Sequence, residues 1–386
     1  APFIASFYNN PVLVPMVVVS AVKLFFVDWA LIPLQLLNRE LKFKEIGAIN
    51  TLATLLASTL TIVLAVGGTG AWAPVLGQVA HGFFTLLGAM FFSPFWPRRH
   101  FRYAEIRVHV HFGIKVAVSN IIGNFSRNVD FLIVGKLLGE QLLGIYKVAF
   151  DIAMSPAMSL LHVVSRTAFP VFARMQDSGA KLTKLFLWVQ RNLAFYLLPL
   201  NLLVFFAVED ILLVIGKGQW LPAVPLVRIM VWASTLRSLA LIFPQLFQAV
   251  GRPMYALWNS LFTLGFLCGT LFGSIALFAP ELGLASVALA WLASYPFLLG
   301  ILVLMTGRIF RLSLLEYLKD FFHPVLMTAA MLAVLVPLHL FRQQLPLSRI
   351  LYPVLLVGAI LGVAWLYRRH VMGFQLKVRQ ESPPET

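Results

Sequence analysis

Long apolar runs, each long enough to cross a bilayer as a helix, make up most of this chain. A hydrocarbon core about 30 Å thick needs roughly 20 apolar residues per helix, and runs of that kind can be placed eleven times. They lie approximately at Pro11–Leu37, Ile46–Val66, Ala71–Phe92, Val110–Leu137, Leu142–Ser165, Leu185–Val208, Leu221–Val250, Tyr255–Phe278, Leu282–Thr306, Phe321–Leu340 and Ile350–Tyr367. The sequence therefore predicts an all-α, polytopic transmembrane helix bundle of about 11 helices, with no gap that houses a soluble domain.

The composition excludes several other classes of protein. Hydrophobic residues make up 60% of the chain and charged residues 12%, which is too apolar for a water-soluble fold. The net charge of +15 would indicate nucleic acid in a soluble protein, but in a membrane protein excess Lys and Arg normally mark cytoplasmic loops. The histidines lack metal-site spacing, and no phosphate-binding or dinucleotide-binding motif appears. We therefore expect no nucleic-acid partner, no metal and no cofactor.

The breaks between the runs differ strongly in basic charge when they are taken alternately. One set carries 19 Lys and Arg residues and the other carries four. A missed helix would exchange the sides of all later breaks, so this alternation supports the eleven spans together. The positive-inside bias predicts that the basic side is cytoplasmic and that the C-terminus lies in the cytoplasm. It places Ala1 outside, and we expect the chain to be incomplete at its N-terminus.

Charged residues inside the predicted spans indicate a binding cavity. A charge near the bilayer centre costs about 2.5 to 3.5 kcal/mol, so such residues usually face a bundle interior or a wet cavity. The excess of cations over acids predicts a cavity that receives an anion. The cations are Lys23, Lys115, Arg127, Lys147, Arg191, Arg228 and Arg237, and the acids are Asp28, Asp130 and Asp151.

Position within each span separates these residues into groups. Arg127 and Arg237 lie nearest mid-span and are expected to line the cavity, and Arg127 can share a hydrogen bond with Asp130 at i, i+3. Three cations lie near helix ends, where snorkelling to the interface and cavity lining are both open: Lys115, Arg191 and Arg228.

Two further cations have an acid on the same predicted helix. Lys147 and Asp151 are spaced i, i+4 and are expected to neutralise each other. Lys23 and Asp28 flank one span centre, and their role stays open between structure and cavity. The predicted substrate-cavity set is Arg127, Arg237, Asp130, Lys115, Arg191, Arg228 and Lys23.

An ordered set of short motifs runs through the chain, most densely from Ser119 to Phe186. The motif residues there are Asn128, Asp130, Gly135, Lys136, Gly139, Gly144, Tyr146, Phe169 and Pro170. Further segments are RELKFKEIG from Arg39, GTGAWAPVLGQ from Gly68 and FQAVGRP from Phe247. Together they resemble the polysaccharide-flippase branch of the multidrug, oligosaccharidyl-lipid and polysaccharide exporter superfamily, and within it the colanic-acid and teichuronic-acid exporters.

The resemblance implies a fold of 14 helices, with two six-helix lobes around a cationic cavity and two extra C-terminal helices. On this scheme residues 1–109 are a partial N-lobe that lacks the first three family helices, and 110–306 are the C-lobe. Residues 307–370 hold the extra pair, and 371–386 form a cytoplasmic tail. The implied substrate is a polyprenyl-pyrophosphate-linked oligosaccharide, and the implied partners are membrane lipid and polysaccharide polymerase machinery.

Three other functions compete with this interpretation. A multidrug or cation antiporter of the same superfamily is expected to have an acidic cavity, in contrast to the basic excess here. A flippase for a lipid-linked peptidoglycan precursor fits a cationic cavity equally well. A membrane glycosyltransferase or polymerase usually needs a large outer loop, and the longest outer break holds only Glu209 and Asp210, which are more typical of a solvated helix end.

Overall fold

The structure, a computed structural model, describes residues 2–40, 42–95, 125, 128–176, 179–216, 218–310, 312–342 and 351–367. Across these ranges the secondary structure is α-helical, with one short 3₁₀ helix and no strand. Nine helices within them are long and apolar enough to cross a membrane, and a tenth apolar helix is shorter. The predicted all-α polytopic bundle is confirmed.

Residues 1–115 and 116–386 form two compact units. In the described part of the first unit the helices are α1 (Pro2–Tyr8), α2 (Leu13–Arg39), α3 (Phe43–Val66) and α4 (Trp72–Phe92). Both α2 and α3 pack along α4. Small residues occupy most of the buried positions, which lets membrane helices approach closely: Ala30, Ala53, Ala57, Ala73, Gly77, Gly82 and Ala89.

The second unit contains the remaining helices. They are α5 (128–137), α6 (Glu140–Arg174), α7 (Gly179–Gly216), the 3₁₀ helix Leu221–Ala223, α8 (Val224–Ala240), α9 (Ile242–Ala249), α10 (Pro253–Leu282), α11 (Ala285–Phe310), α12 (Leu314–Asp320), α13 (Phe322–Phe341) and α14 (Leu351–Tyr367). The segment from the 3₁₀ helix to α9 is the most enclosed of the spans. Because α6, α7 and α11 all pack on α8, its side chains form the centre of this unit.

Ten of the eleven predicted spans coincide with these helices, and the other, Val110–Leu137, lies mostly outside the described residues. Two predicted ends are wrong. The helix predicted to end at Ser165 continues to Arg174, and the one predicted to begin at Leu185 begins at Gly179. Hydropathy marks only the apolar part of a helix, and both extensions carry exposed polar residues that continue the helix beyond it.

The helices α13 and α14 are joined to the rest of the unit through α7. Leucine and aromatic side chains of α7 meet methionines of α13 and aliphatic residues of α14 in a separate apolar cluster. The buried members are Phe195, Leu202, Phe206, Ala207, Met327, Met331, Leu335, Tyr352, Leu356, Ile360 and Tyr367. This seam follows α7 along more than three helical turns.

Two glycines of α11 provide a matched test of the packing between α11 and the chain that follows it. A Cβ atom added at Gly307 would lie 2.5 Å from the carbonyl oxygen of Leu312, whereas one at Gly300 would meet no atom within 4 Å. A backbone oxygen cannot rotate away as a side chain can. We expect Gly307→Ala to lower the free energy of unfolding by about 1–3 kcal/mol, and Gly300→Ala to leave it unchanged or slightly raised.

The measurement is thermal unfolding of each purified variant in detergent. Equal melting temperatures for Gly307→Ala and the parent protein would contradict the prediction, because they would mean that the backbone at Leu312 moves aside without loss of stability.

Candidate functional site

The central polar cluster of the second unit, which consists of Asp130, Tyr146, Arg237 and Ser238, contains a buried carboxylate. Asp130 on α5 is fully buried, and the Tyr146 hydroxyl of α6 donates a hydrogen bond of 2.6 Å to its Oδ2 atom. Between the two helices Gly139 adopts a φ of +89°, which residues with side chains rarely adopt. The turn at Gly139 folds α6 back beside α5 and so places the tyrosine against the carboxylate.

Arg237 on α8 supplies the opposite charge. It is 7% exposed, and its guanidinium lies 4.8 Å from the Trp291 ring centroid and 5.5 Å from that of Phe150. The two rings provide cation–π attraction, which is strongest where the cation is removed from water. Arg237 also interacts electrostatically with Asp130. The cation is therefore held in the protein interior by aromatic faces and by a nearby negative charge.

Part of the hydrogen-bonding capacity of this cluster is unused within the described residues. The buried atoms Asp130 Oδ1, Arg237 Nη1 and Ser238 Oγ have no hydrogen-bond partner there. Buried polar atoms are nearly always paired, because an unpaired one loses water without compensation. The unpartnered Nη1 atom of the buried Arg237 guanidinium is able to donate a hydrogen bond to an anionic oxygen.

A neutral polar network fixes the register of α8 beside this cluster. The Asn201 amide of α7 donates hydrogen bonds to the Val231 carbonyl, at 2.8 Å, and to the Thr235 hydroxyl, at 2.6 Å. Beyond Arg237 in the sequence, the Gln190 amide donates to the carbonyl of Leu239 at 3.0 Å. These contacts bind α7 to α8 on both sides of Arg237 in the sequence and limit how far its backbone moves.

Two of the predicted cavity residues form ion pairs away from this cluster. Arg191 on α7 lies 3.2 Å from Asp320, and Arg228 on α8 lies 2.8 Å from Glu209. Asp320 is the last residue of the short helix α12, between the predicted spans. Burial raises the pKa of its carboxyl group, and the positive charge of Arg191 opposes that shift. Because these acids lie outside the predicted spans, the basic excess counted from the spans alone overstates the unpaired charge.

The remaining candidates are placed differently. Lys147 and Asp151 form the predicted i, i+4 ion pair, with both side chains more than half exposed. Lys23 lies in the first unit, where its ammonium group donates a 3.3 Å hydrogen bond to Gln78. Lys115 and Arg127 lie outside the described residues, so their proposed place in a cavity stays a prediction.

The prediction of a solvated helix end at Glu209 and Asp210 is wrong for Asp210. Asp210 is 9% exposed and pairs with Arg342, whose guanidinium lies 4.3 Å from the Tyr352 ring centroid. The pair joins the end of α7 to the end of α13, which covers the carboxylate. Among the described residues, no group of three or more His, Cys, Asp or Glu side chains is arranged to hold a metal ion.

Sequence reasoning missed the aromatic side chains that enclose Arg237. Phe150 and Trp291 lie on α6 and α11, far apart in the chain, and no spacing rule joins them to Arg237. One signal was available. Trp291 falls well inside a predicted span, whereas tryptophan in membrane proteins is enriched at the interfaces. A mid-span tryptophan therefore points to a specific contact.

Comparison with known proteins identifies the family. A family model described as "polysaccharide biosynthesis protein" matches residues 1–225, more than half of the chain. The chain belongs to this family. The resemblance predicted from the motifs around Asp130 and Tyr146 is thereby confirmed.

Individual relatives agree with the family. The lipopolysaccharide biosynthesis protein WzxC of Escherichia coli is 26% identical over 246 residues, covering 63% of this chain and 50% of WzxC. The teichuronic acid biosynthesis protein TuaB of Bacillus subtilis is 26% identical over 342 residues, covering 86% of this chain and 68% of TuaB. The matched part of the chain thus spans about half to two thirds of the length of these relatives.

A solved structure supports the architecture. The lipid II flippase MurJ, in an inward closed conformation, superposes with a TM-score of 0.70 at 10% sequence identity, covering 93% of this chain and 75% of MurJ. This similarity shows the fold. It agrees with the predicted all-α polytopic helix bundle.

Proposed function

We propose that the protein is a flippase that moves a polyprenyl-pyrophosphate-linked oligosaccharide across the bacterial cytoplasmic membrane for the synthesis of a surface polysaccharide. The family is one of polysaccharide biosynthesis, and the helices are of membrane-spanning length. The similarity to WzxC and TuaB, proteins of lipopolysaccharide and teichuronic acid biosynthesis, supports a surface glycan as the product.

The observation that carries this proposal is the buried Arg237 with an unpartnered Nη1 atom. A pyrophosphate needs a polar route through the membrane, whereas its polyprenyl tail remains in the lipid. In a wall of low dielectric constant a fixed guanidinium attracts phosphate oxygens far more strongly than it does in water. Arg237 would hold the pyrophosphate while the two lobes rock from one side of the membrane to the other.

Orientation and partners are part of the same proposal. The alternating basic breaks support a cytoplasmic C-terminus in the inner membrane, with the substrate taken up from the side where polyprenyl-linked glycans are assembled. Membrane lipid surrounds the apolar helix faces, and polysaccharide polymerase machinery would receive the flipped oligosaccharide on the outer face.

The proposal is tested by complementation. The complete gene is expressed in a strain that makes a surface polysaccharide but lacks the flippase for it, and surface glycan is measured by immunoblot and by flow cytometry. We expect surface glycan to be restored and the cytoplasmic-side lipid-linked intermediate to disappear. Accumulation of that intermediate, with the protein present in the membrane and with a glycan matched to the source organism, would refute the proposal.

The MurJ-like fold favours one second candidate, the export of a peptidoglycan precursor, which also carries a pyrophosphate. Expression in a strain depleted of its own lipid II flippase distinguishes the two functions. Growth restored there, without restoration of surface glycan in the first strain, would favour the second candidate over the first.

A further inference from the structure

A polar cavity lies among the three long helices of the first unit. It has a volume of about 430 Å³ and is lined on α2 by Lys23, on α3 by Thr54, Ser58 and Thr61, and on α4 by Gln78 and His81, together with small apolar residues. Lys23 is the eleventh of 27 residues of α2, Thr54 the twelfth of 24 of α3 and His81 the tenth of 21 of α4. The cavity therefore lies near the middle of three spans, where polar groups are costly and usually functional.

The polar side chains come from one face of each helix. Thr54, Ser58 and Thr61 are spaced i, i+4 and i+7 on α3, which places all three on the same side. On α4, Gln78 and His81 follow the same rule at i, i+3. The Thr54 hydroxyl and the His81 imidazole lie 3.4 Å apart, and Lys23 donates to Gln78, so polar side-chain contacts join α4 to both α3 and α2.

Glycines of α4 set the shape of this cavity. A Cβ atom at Gly77 would lie 1.9 Å from the Thr61 hydroxyl oxygen, and one at Gly82 would lie 3.3 Å from Cγ of Lys23. The two positions bring α3 and α4, and α2 and α4, into close contact. That close packing directs the threonine and the lysine toward the cavity rather than toward lipid.

The charge of the lining indicates its ligand. Lys23 is a cation, and within the described residues no acid lines the cavity; Asp28, the acid of α2, is not among the lining residues. The other polar lining groups are hydroxyls, an amide and an imidazole, all able to donate hydrogen bonds. Such a set, with one cation and several hydrogen-bond donors and with no acid among its described members, is complementary to an oxyanion.

We propose that this cavity is a second anion-binding site, in the first unit, that binds a phosphate or carboxylate group of the transported glycan lipid. The inference deepens the proposed function, since it names a second contact for the same substrate. Lys23 supplies the charge, and the Thr54 and Ser58 hydroxyls of α3 donate to the oxyanion oxygens. The Thr61 hydroxyl donates instead to the carbonyl of Ala57, at 2.8 Å. The bound group is either the pyrophosphate itself or the carboxylate of an acidic sugar.

The test uses a cysteine in the cavity of the full-length protein. In a Cys268→Ala background, Ser58→Cys is treated with a negatively charged sulfonate thiol reagent and with a positively charged trimethylammonium one, and each rate is divided by the rate with free cysteine. We expect the anionic reagent to react about fivefold faster, because a cationic cavity raises the local concentration of anions. Lys23→Gln should remove the preference, and Lys23→Arg should keep it.

Competition then identifies the source of the oxyanion. Pyrophosphate that slows the anionic reagent points to the lipid diphosphate, and glucuronate that slows it points to an acidic sugar. A cysteine that neither reagent reaches, equal rates for both reagents, or labelling that neither anion slows would overturn the inference. Lys147→Gln, which removes a cation from the other unit, should leave the preference unchanged.

These readouts do not depend on transport. A preserved anion preference in a protein that fails to export glycan would refute the proposed function and leave this site standing. Normal export without anion preference at Ser58→Cys would refute this site alone. Gel-filtration profiles of the Lys23→Gln and Lys23→Arg proteins establish that both variants are folded.

Discussion

Arg237→Gln is expected to abolish glycan export while the amount of protein in the membrane stays normal. The substitution removes the guanidinium that lies against Trp291 and Phe150 and that has a free Nη1 atom. If this cation holds the pyrophosphate, its loss should lower export by at least about tenfold, equivalent to ~1.4 kcal/mol of binding. Insertion should not suffer, because removing a charge from a span makes insertion easier.

A second variant separates binding from structure. Without Arg237, the carboxylate of Asp130 keeps its Tyr146 hydrogen bond but loses the neighbouring positive charge. Arg237→Gln combined with Asp130→Asn removes that imbalance and should recover any lost thermal stability without recovering export. Arg237→Lys keeps the charge but loses the planar fork, so we expect intermediate export.

The exposed pair Lys147–Asp151 supplies the matched control. Lys147→Gln also removes one cation from a span, yet its side chain is half exposed and we assign it no role in binding. Export by Lys147→Gln should equal that of the parent protein. Normal export by Arg237→Gln at normal protein level would show that the anion is held elsewhere.

Asp210→Ala is expected to lower the free energy of unfolding by about 3 kcal/mol, because breaking a largely buried ion pair leaves the partner charge without compensation. The Asp210 side chain is 11% exposed and that of Arg342 is 23% exposed. The neighbouring residue provides the comparison. Glu209 is 40% exposed in its pair with Arg228, so Glu209→Ala should cost at most about 1 kcal/mol.

Thermal unfolding in detergent measures both effects, and limited proteolysis between α13 and α14 reports whether the last two helices detach. We expect Asp210→Ala to increase cleavage there and Glu209→Ala to change it little. Exchanging the charges in Asp210→Arg with Arg342→Asp should restore part of the lost stability. Equal losses for Asp210→Ala and Glu209→Ala would mean that burial does not set the strength of these pairs.

The sequence was sufficient to locate the spans, because each helix must present about 20 apolar residues to lipid wherever it lies in the fold. It also predicted the Lys147–Asp151 pair, since residues four apart on a helix are neighbours in any tertiary structure. The helix ends near Ser165 and Leu185 were placed wrongly because the polar extensions leave no hydropathy signal.

Contacts between distant parts of the chain had no comparable signal. Arg191 pairs with an acid 129 residues away, and Asp210 with a cation 132 residues away. Periodicity describes which face of a helix a residue occupies but not which helix that face meets. The excess of positive charge was counted correctly within the predicted spans. Of the five predicted cations that the structure describes, however, three pair with an acid, and only Arg237 and Lys23 lack an acid within ion-pair distance.

The length of α7 has a mechanical consequence. At 1.5 Å per residue its 38 residues extend about 57 Å, nearly twice the thickness of the hydrocarbon core. Arg191 bonds it to Asp320 before α13, Asp210 bonds it to Arg342 after α13, and the apolar seam fills the interval. Pro199 lies inside α7 between these two ion pairs and removes one of its backbone hydrogen bonds, which makes it the point where the helix bends most easily. Because α13 and α14 are held to α7 on both sides of Pro199, any bend that forms there must be shared by these two helices.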